Sequence, residues 1–204
     1  MLEKYLDNKS FSLLFLPFSL GSLTVFSFQP FNFTLVNFII LPIFFYLITY
    51  IKKKSKSTYR KKPFKRNLFI FGTAFGFGFF LSGLHWIVNS LTFDESFKIL
   101  IPFGLILIPL FLSLFFSIAI LLIGPFLNYN INSIILFSGT LGAVDYVRSK
   151  VLTGFPWNLW SYSYSWALEI LQILNVIGLF AFNLITISLF MLPAIIFCNS
   201  KLTK

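Results

Sequence analysis

Long apolar runs, each broken by only a few polar positions, organise this chain. Crossing a hydrocarbon core of about 30 Å takes roughly 20 mostly apolar residues at ~1.5 Å rise per residue. Six runs approach that length: residues 11–26, 31–51, 68–91, 99–123, 131–147 and 170–197, the first and fifth being short. Only residues 27–30, Gln29 and Pro30 among them, separate the first two runs, and Asn32 follows just inside the second, which predicts a tight reversal and an antiparallel hairpin. Pro17, Pro42, Pro102, Pro109 and Pro193 fall inside the runs. Each would break a soluble helix, but in lipid they are expected as kinks whose freed backbone groups are re-satisfied by neighbours. The third run carries Gly72, Ala74, Gly76, Gly78 and Ser82, a small-residue stripe that predicts a close helix–helix seam. No tandem repeat is visible.

Composition agrees with a lipid solvent. With 57% hydrophobic residues, 11% charged residues, 30 Phe and a mean hydropathy of +0.87, the chain fits neither a water-soluble domain nor a disordered, collagen-like or coiled-coil protein. The net charge of +10 raises nucleic acid as a partner, but the distribution of the basic residues argues otherwise. Lys52, Lys53, Lys54, Lys56, Arg60, Lys61, Lys62, Lys65 and Arg66 crowd one segment between two apolar runs, as in a cytoplasmic loop. With the N-terminus inside, Lys4, Lys9, that segment, Lys201 and Lys204 all lie on the cytoplasmic side, leaving only Lys98, Arg148 and Lys150 elsewhere. An even number of spans is needed to return both basic termini to one side. Trp86, Trp157, Trp160 and Trp166 then fall at or near the outer face, where amphipathic rings favour the headgroup level. Residues 11–26 could pass as the apolar part of a signal peptide, but no small-x-small cleavage site follows, so the segment is expected to be retained as a helix. The expected fold is an all-α membrane protein, with residues 1–204 forming one polytopic bundle of about six transmembrane helices and both termini cytoplasmic. It has a cytoplasmic basic loop over 52–67 and an outer aromatic loop over 148–169.

Catalytic parts are scarce. One Cys and one His exclude a disulfide framework, a Cys-based zinc cluster and a multi-histidine metal site, and no cofactor is implied. Intramembrane polar groups are costly, so each is a functional candidate. Asp145 and Arg148, three apart near the outer end of the fifth run, suit a structural ion pair on one helix face. His85 and Asn89, four apart beside Trp86, either line a polar lumen or bond to a neighbouring helix. Cys198 sits at the cytoplasmic end of the last run, whereas His85, Asp94, Glu95 and Glu169 lie toward the outer face. That puts thiol and base on the order of 20–30 Å apart, so Cys198 is expected to be inert and this chain to hold no catalytic set of its own. Residues 148–166 interleave Trp and Tyr with Ser and Asn after Gly154 and Pro156 break helical continuity, while Arg148 and Lys150 suit lipid phosphate. The segment reads either as an aromatic anchor or as a lipid-handling surface.

At this point a resemblance emerges. Residues 76–90, Gly-Phe-Gly-Phe-Phe-Leu-Ser-Gly-Leu-His-Trp-Ile-Val-Asn-Ser, together with Asp145-Tyr146-Val147-Arg148, Leu152-Thr153-Gly154-Phe155-Pro156-Trp157 and Tyr162-Ser163, resemble the membrane region of bacterial apolipoprotein N-acyltransferases. The Thr-Gly-Phe-Pro-Trp run is the most specific element, and the Phe28-Gln29-Pro30-Phe31 turn and the order of the runs also fit. The resemblance implies a protein of the bacterial inner membrane in lipoprotein maturation, where an acyl chain passes from a glycerophospholipid to the amino group of a lipoprotein's diacylglyceryl-cysteine at the outer face. It implies phospholipid and lipoprotein as partners, and a lipid entrance shaped by Thr153, Gly154, Phe155, Pro156, Trp157, Gly83 and Trp86. In the family a periplasmic nitrilase-like α/β domain supplies a Glu, Lys and Cys set. No alternating strand and helix pattern for it occurs here, so the chain is expected to be inactive alone and to need a separate nitrilase-like chain, as a fragment, truncated product or half of a split enzyme. A non-catalytic lipid-handling or assembly protein is the other reading. A small transporter fits less well, since the runs lack a line of polar residues and an inverted pairing of halves.

Overall fold

The computed structural model of the chain describes residues 11–56, 64–151, 154 and 156–198, and every regular element among them is helical. Helix α1, Phe11–Ser27, opens with a π turn and ends in a 3₁₀ turn. The chain then reverses: Phe31 and Asn32 N–H both donate to the Phe28 carbonyl at 3.0 Å, Phe33 N–H donates to Phe26 at 2.9 Å, and Asn32 takes a left-handed φ of 58°. Helix α2 follows a short turn as Asn37–Lys56. Helix α3, Phe64–Leu84, tightens into a 3₁₀ segment at His85–Thr92. Helix α4 begins as 3₁₀ at Glu95–Leu100 and continues as Ile101–Ile123, and α5 is Ile131–Arg148. Two single turns, Leu168–Leu171 and Leu174–Ile177, make up α6, and Leu179–Phe190, Leu192–Ala194 and Ile195–Cys198 make up α7.

Four helical stretches, Thr34–Lys53, Phe64–Thr92, Glu95–Ile123 and Leu179–Cys198, are long and apolar enough to cross a membrane, and the shorter apolar α1 packs along α3. This is an all-α membrane bundle. Two boundaries differ from those expected. The apolar run over 170–197 is not one helix, because the backbone turns at Gly178 with φ 79° and ψ 166°, a region essentially closed to residues with a Cβ, so the last long helix begins only at Leu179. The basic segment expected as a loop over 52–67 is helical up to Lys56 and again from Phe64. Lys52 is a buried latch rather than a loop charge: its ammonium donates to the Leu127 carbonyl at 2.7 Å and to Asn128 Oδ1 at 2.9 Å, fastening α2 to the α4–α5 connection.

The prolines mark changes of helix type more than kinks. Pro17 stands where the π turn becomes α-helix, Pro102 where 3₁₀ becomes α-helix, and Pro193 in the 3₁₀ turn that interrupts α7. At such junctions the missing N–H and fixed φ cost little. Only Pro42 and Pro109 lie inside α-helix proper.

Packing runs along two seams of α3. Gly72 and Gly76 turn to α4, where an added Cβ would lie 2.8 Å from the Cα atoms of Ser117 and Ser113 respectively. Gly78 turns the other way, to α1, where its added Cβ would come 2.2 Å from the Phe18 carbonyl; reciprocally, one on Gly21 would come 2.1 Å from the Phe75 carbonyl. The stripe is therefore a double seam that holds α3 between two neighbours at backbone contact, where van der Waals packing replaces the hydrophobic drive that lipid does not supply. Phenylalanines fill the space on the third side: the Phe44 ring of α2 stacks on Phe75 with centroids 3.8 Å apart and meets Phe137 of α5 at 5.9 Å.

Gly21→Ala is expected to lower the melting temperature of the detergent-solubilised chain by forcing α1 off α3, at about 1–3 kcal/mol for overpacking. Gly139→Ala, whose added Cβ meets nothing within 4 Å in mid-α5, should be neutral or stabilising by up to about 1 kcal/mol. Equal losses from the two would contradict the seam.

Candidate functional site

At one end of the bundle the last turn of α5 buries a charge. Asp145 and Arg148 are 3% and 1% exposed, and Arg148 Nη2 donates to Asp145 Oδ1 at 3.0 Å. The pair expected from the sequence is present, and it has more partners than spacing could show. Asn183 of α7, fully buried, donates through Nδ2 to Asp145 Oδ2 at 2.8 Å and accepts the Ser161 backbone N–H on Oδ1 at 3.0 Å. Arg148 Nη1 donates to the Trp157 carbonyl at 2.7 Å, and the guanidinium carbon stands 5.2 Å from the Phe80 ring centroid of α3. One guanidinium, one carboxylate and one amide thus join α3, α5 and α7 to two points of the aromatic segment. Each charge is compensated where it is buried, the condition under which such a pair persists in a low dielectric.

The aromatic segment is itself shaped around this clamp. Gly154 has φ 78°, and a Cβ there would lie 2.6 Å from the Ser149 carbonyl, so the turn after α5 needs glycine on both counts. Asn158 is left-handed at φ 55°, and its side chain presses on Gly83 so closely that a Cβ at Gly83 would lie 2.0 Å from the amide nitrogen. Trp160 is fully buried and stacks on Phe79 at 5.3 Å with planes 6° apart. A 3₁₀ turn at Trp160–Tyr164 then meets the short turn before α2, where Thr34 Oγ1 donates to the Ser163 carbonyl at 2.6 Å and accepts from Trp166 Nε1 at 2.8 Å.

The expected lipid-entrance residues divide accordingly. Gly83, Gly154, Pro156, Trp157 and Trp86 lie together at this end: Trp86 meets the Trp157 ring edge-on at 5.2 Å, and both indoles are nearly half exposed. Thr153 and Phe155 lie outside the described residues. His85 reaches neither a lumen nor a neighbouring helix; it is exposed, with Nδ1 2.9 Å from the Ser82 carbonyl of its own helix, and Asn89 is exposed. Asn183 and Thr34 were not singled out from the sequence, and Trp160, expected as a ring near the headgroup level, is fully buried against Phe79. For Asn183 a signal existed, a strongly polar residue within an apolar run.

Burial pushes the phenols of Tyr162 and Tyr164 above the usual tyrosine value, with Arg148 partly offsetting this at Tyr162, so both remain neutral donors at physiological pH. In the turn between α3 and α4, the Ser96 hydroxyl and N–H hold the Asp94 carboxyl below its ordinary value and ionised. Among the described residues no three His, Cys, Asp or Glu side chains gather as a metal site. Cys198, half-buried, points its thiol at the Ala194 carbonyl 3.7 Å away, next to Phe197, whose ring meets Tyr46 in the middle of α2; Tyr46 in turn stacks at 5.6 Å on Tyr129, just before the first turn of α5. The thiol therefore lies at the end of the bundle opposite the clamp.

These features define a helical membrane protein that holds a structured aromatic loop over one end of its bundle. Residues 20–192 match the family described as apolipoprotein N-acyltransferase N-terminal domain, and the chain belongs to that family. It is 30% identical to the apolipoprotein N-acyltransferase of Rhodopseudomonas palustris over 185 residues, covering 90% of this chain and 33% of that protein. Against the apolipoprotein N-acyltransferases of Bradyrhizobium diazoefficiens and Brucella melitensis the figures are 32% over 175 residues and 28% over 179, covering 85% and 86% of this chain and 32% and 33% of those proteins. The chain thus spans about a third of the length of the curated relatives it matches.

Asp145→Ala should destabilise the protein by about 3–5 kcal/mol, since it strands a buried guanidinium. Replacing both partners with apolar residues of similar volume, Asp145→Leu with Arg148→Met, should restore much of that loss in thermal unfolding. A double variant as unstable as the sum of the two singles would show that the pair is not coupled.

Proposed function

We propose that this chain is the membrane platform of an apolipoprotein N-acyltransferase in a bacterial inner membrane. The clamped aromatic loop presents substrate at the outer face, and a nitrilase-like unit supplies the Glu, Lys and Cys chemistry. The observation that carries the reading is the Arg148–Asp145–Asn183 clamp, which fixes the Trp157 carbonyl and the Ser161 amide while leaving the Trp86 and Trp157 indoles exposed at the rim. A rigid backbone carrying exposed aromatic surface is what a site needs to hold acyl chains and a lipidated N-terminus against a reaction centre above it. In this reading Gly83, Trp86, Gly154, Pro156 and Trp157, with Thr153 and Phe155 of the same motif, shape the lipid entrance. The substrates are a glycerophospholipid donor and a diacylglyceryl-cysteine lipoprotein. Acyl transfer needs an activated nucleophile within hydrogen-bond reach of its base, and Cys198 faces the wrong end of the bundle for that role.

Two experiments test this. In cells depleted of their own N-acyltransferase, these 204 residues alone should leave lipoproteins with a free amino group by mass spectrometry. Co-expression with a separate nitrilase-like chain should restore N-acylation, and Trp157→Ala should then reduce it. Acylation by the 204 residues alone, or rescue indifferent to Trp157, would refute the platform role. The orientation is read by labelling single cysteines in a Cys198→Ser background: one at exposed Lys53 should react only from the cytoplasm and one at Phe93, 92% exposed, only from outside. The reverse pattern would overturn the topology.

A further inference from the structure

A second lipid-facing feature lies away from the clamp, toward the basic end of the bundle. Helices α1, α3 and α4 enclose a groove of about 770 Å³, lined by Phe15 and Phe18 of α1, Phe69, Thr73 and Phe77 of α3, and Leu110 of α4, among others. That volume is in the range of roughly 300–1,000 Å³ usual for small-molecule sites. Its wall offers hydrocarbon. The one hydroxyl, Thr73, is already engaged with the Phe69 carbonyl at 2.9 Å and Ser117 Oγ at 2.7 Å. Phe15, Ile106 and Leu110 are 62%, 53% and 41% exposed along the rim, so the groove opens on the surface that faces lipid in a membrane-crossing bundle.

What distinguishes this groove from an ordinary lipid-facing surface is the charge at its end. Lys65 and Arg66, both exposed, stand four residues before Phe69 and Ile70, which line the groove, and so share its face of α3 one turn beyond. Helical side chains lean toward the helix N-terminus, which carries both cations outward from the hydrocarbon to headgroup depth. The first turn of α3 adds the positive end of the helix dipole at the same place, and in the sequence the basic residues from Lys53 to Lys62 lead directly into it.

We infer that this groove is a binding site for one anionic phospholipid, its acyl chain lying along Phe15, Phe18, Phe69 and Phe77 and its phosphate held by Lys65 and Arg66. The site is separate from the proposed substrate entrance and does not depend on acyl transfer. Its role is that of a bound lipid that seals α1 against α3 and α4.

Native mass spectrometry of the full chain, released from detergent after incubation with equal amounts of phosphatidylglycerol and phosphatidylcholine, tests the assignment. One phosphatidylglycerol should be retained in preference. Lys65→Gln with Arg66→Gln should reduce that preference by about thirtyfold, taking the usual contribution of each basic side chain near an anionic lipid surface. Lys98→Gln, which removes a positive charge at the other end of the bundle, where Lys98 pairs with Glu95, should leave it unchanged. Ile106→Trp, an exposed rim position, should lower occupancy by both lipids with the helical circular dichroism intact. Equal retention of the two lipids, an equal loss from Lys98→Gln, or unchanged occupancy in Ile106→Trp would each overturn the site. So would a groove closed by a second copy of the chain, seen as a disulfide-linked dimer of Leu110→Cys with no bound lipid.

Discussion

A single guanidinium, withdrawn from water at the end of α5, sets the order of the aromatic end of this bundle. A buried guanidinium needs a compensating charge, and the fold supplies Asp145 from the same helix face. Asp145 in turn needs its second oxygen satisfied, which Asn183 does from α7. Arg148 also donates to the Trp157 carbonyl, and Asn183 accepts the Ser161 amide on its side-chain oxygen. A loop that composition alone would leave free in the headgroup zone is therefore tied to the helices at two backbone groups.

The rest of the bundle makes this arrangement affordable. Helix α3 is fixed between α1 and α4 by glycine contacts that admit no Cβ, and so presents Phe79 and Phe80 at a set depth, one stacking on Trp160 and the other lying under the guanidinium. Tight seams low in the bundle and a polar network at its end are complementary. The first gives rigid walls by dispersion packing, and the second places a mobile class of residue, an aromatic loop, on those walls by directed hydrogen bonds. At the rim Trp86 and Trp157 stay exposed, while their neighbours Leu159 and Trp160 are buried and anchor the segment.

Much of this was legible in the sequence. The helical membrane class, the reversal near Pro30, the small-residue seam and the Asp145–Arg148 pair all follow from local spacing, because each is a matter of residues a few positions apart. What escaped was set by distance along the chain or by backbone geometry. The partnership of Asn183 with Asp145 joins residues 38 apart, and that of Thr34 with Ser163 residues 129 apart. The break at Gly178 lies in an apolar run without proline, where hydropathy is blind to a positive φ. Lys52, one of a run of lysines, differs from its neighbours only because α2 turns it onto the Leu127 carbonyl. The small-residue stripe was visible, but that it serves two partners on opposite sides of α3 depends on where α1 and α4 pack.

Hydrogen–deuterium exchange on the purified chain, comparing the native sequence with Arg148→Gln, measures the clamp most directly. The account predicts that backbone amides from Trp157 to Trp166, the Ser161 N–H above all, lose protection in the variant while amides along the α3–α4 seam keep theirs. Unchanged protection across the aromatic loop would contradict it, and would mean that stacking on Phe79 alone holds the loop in place.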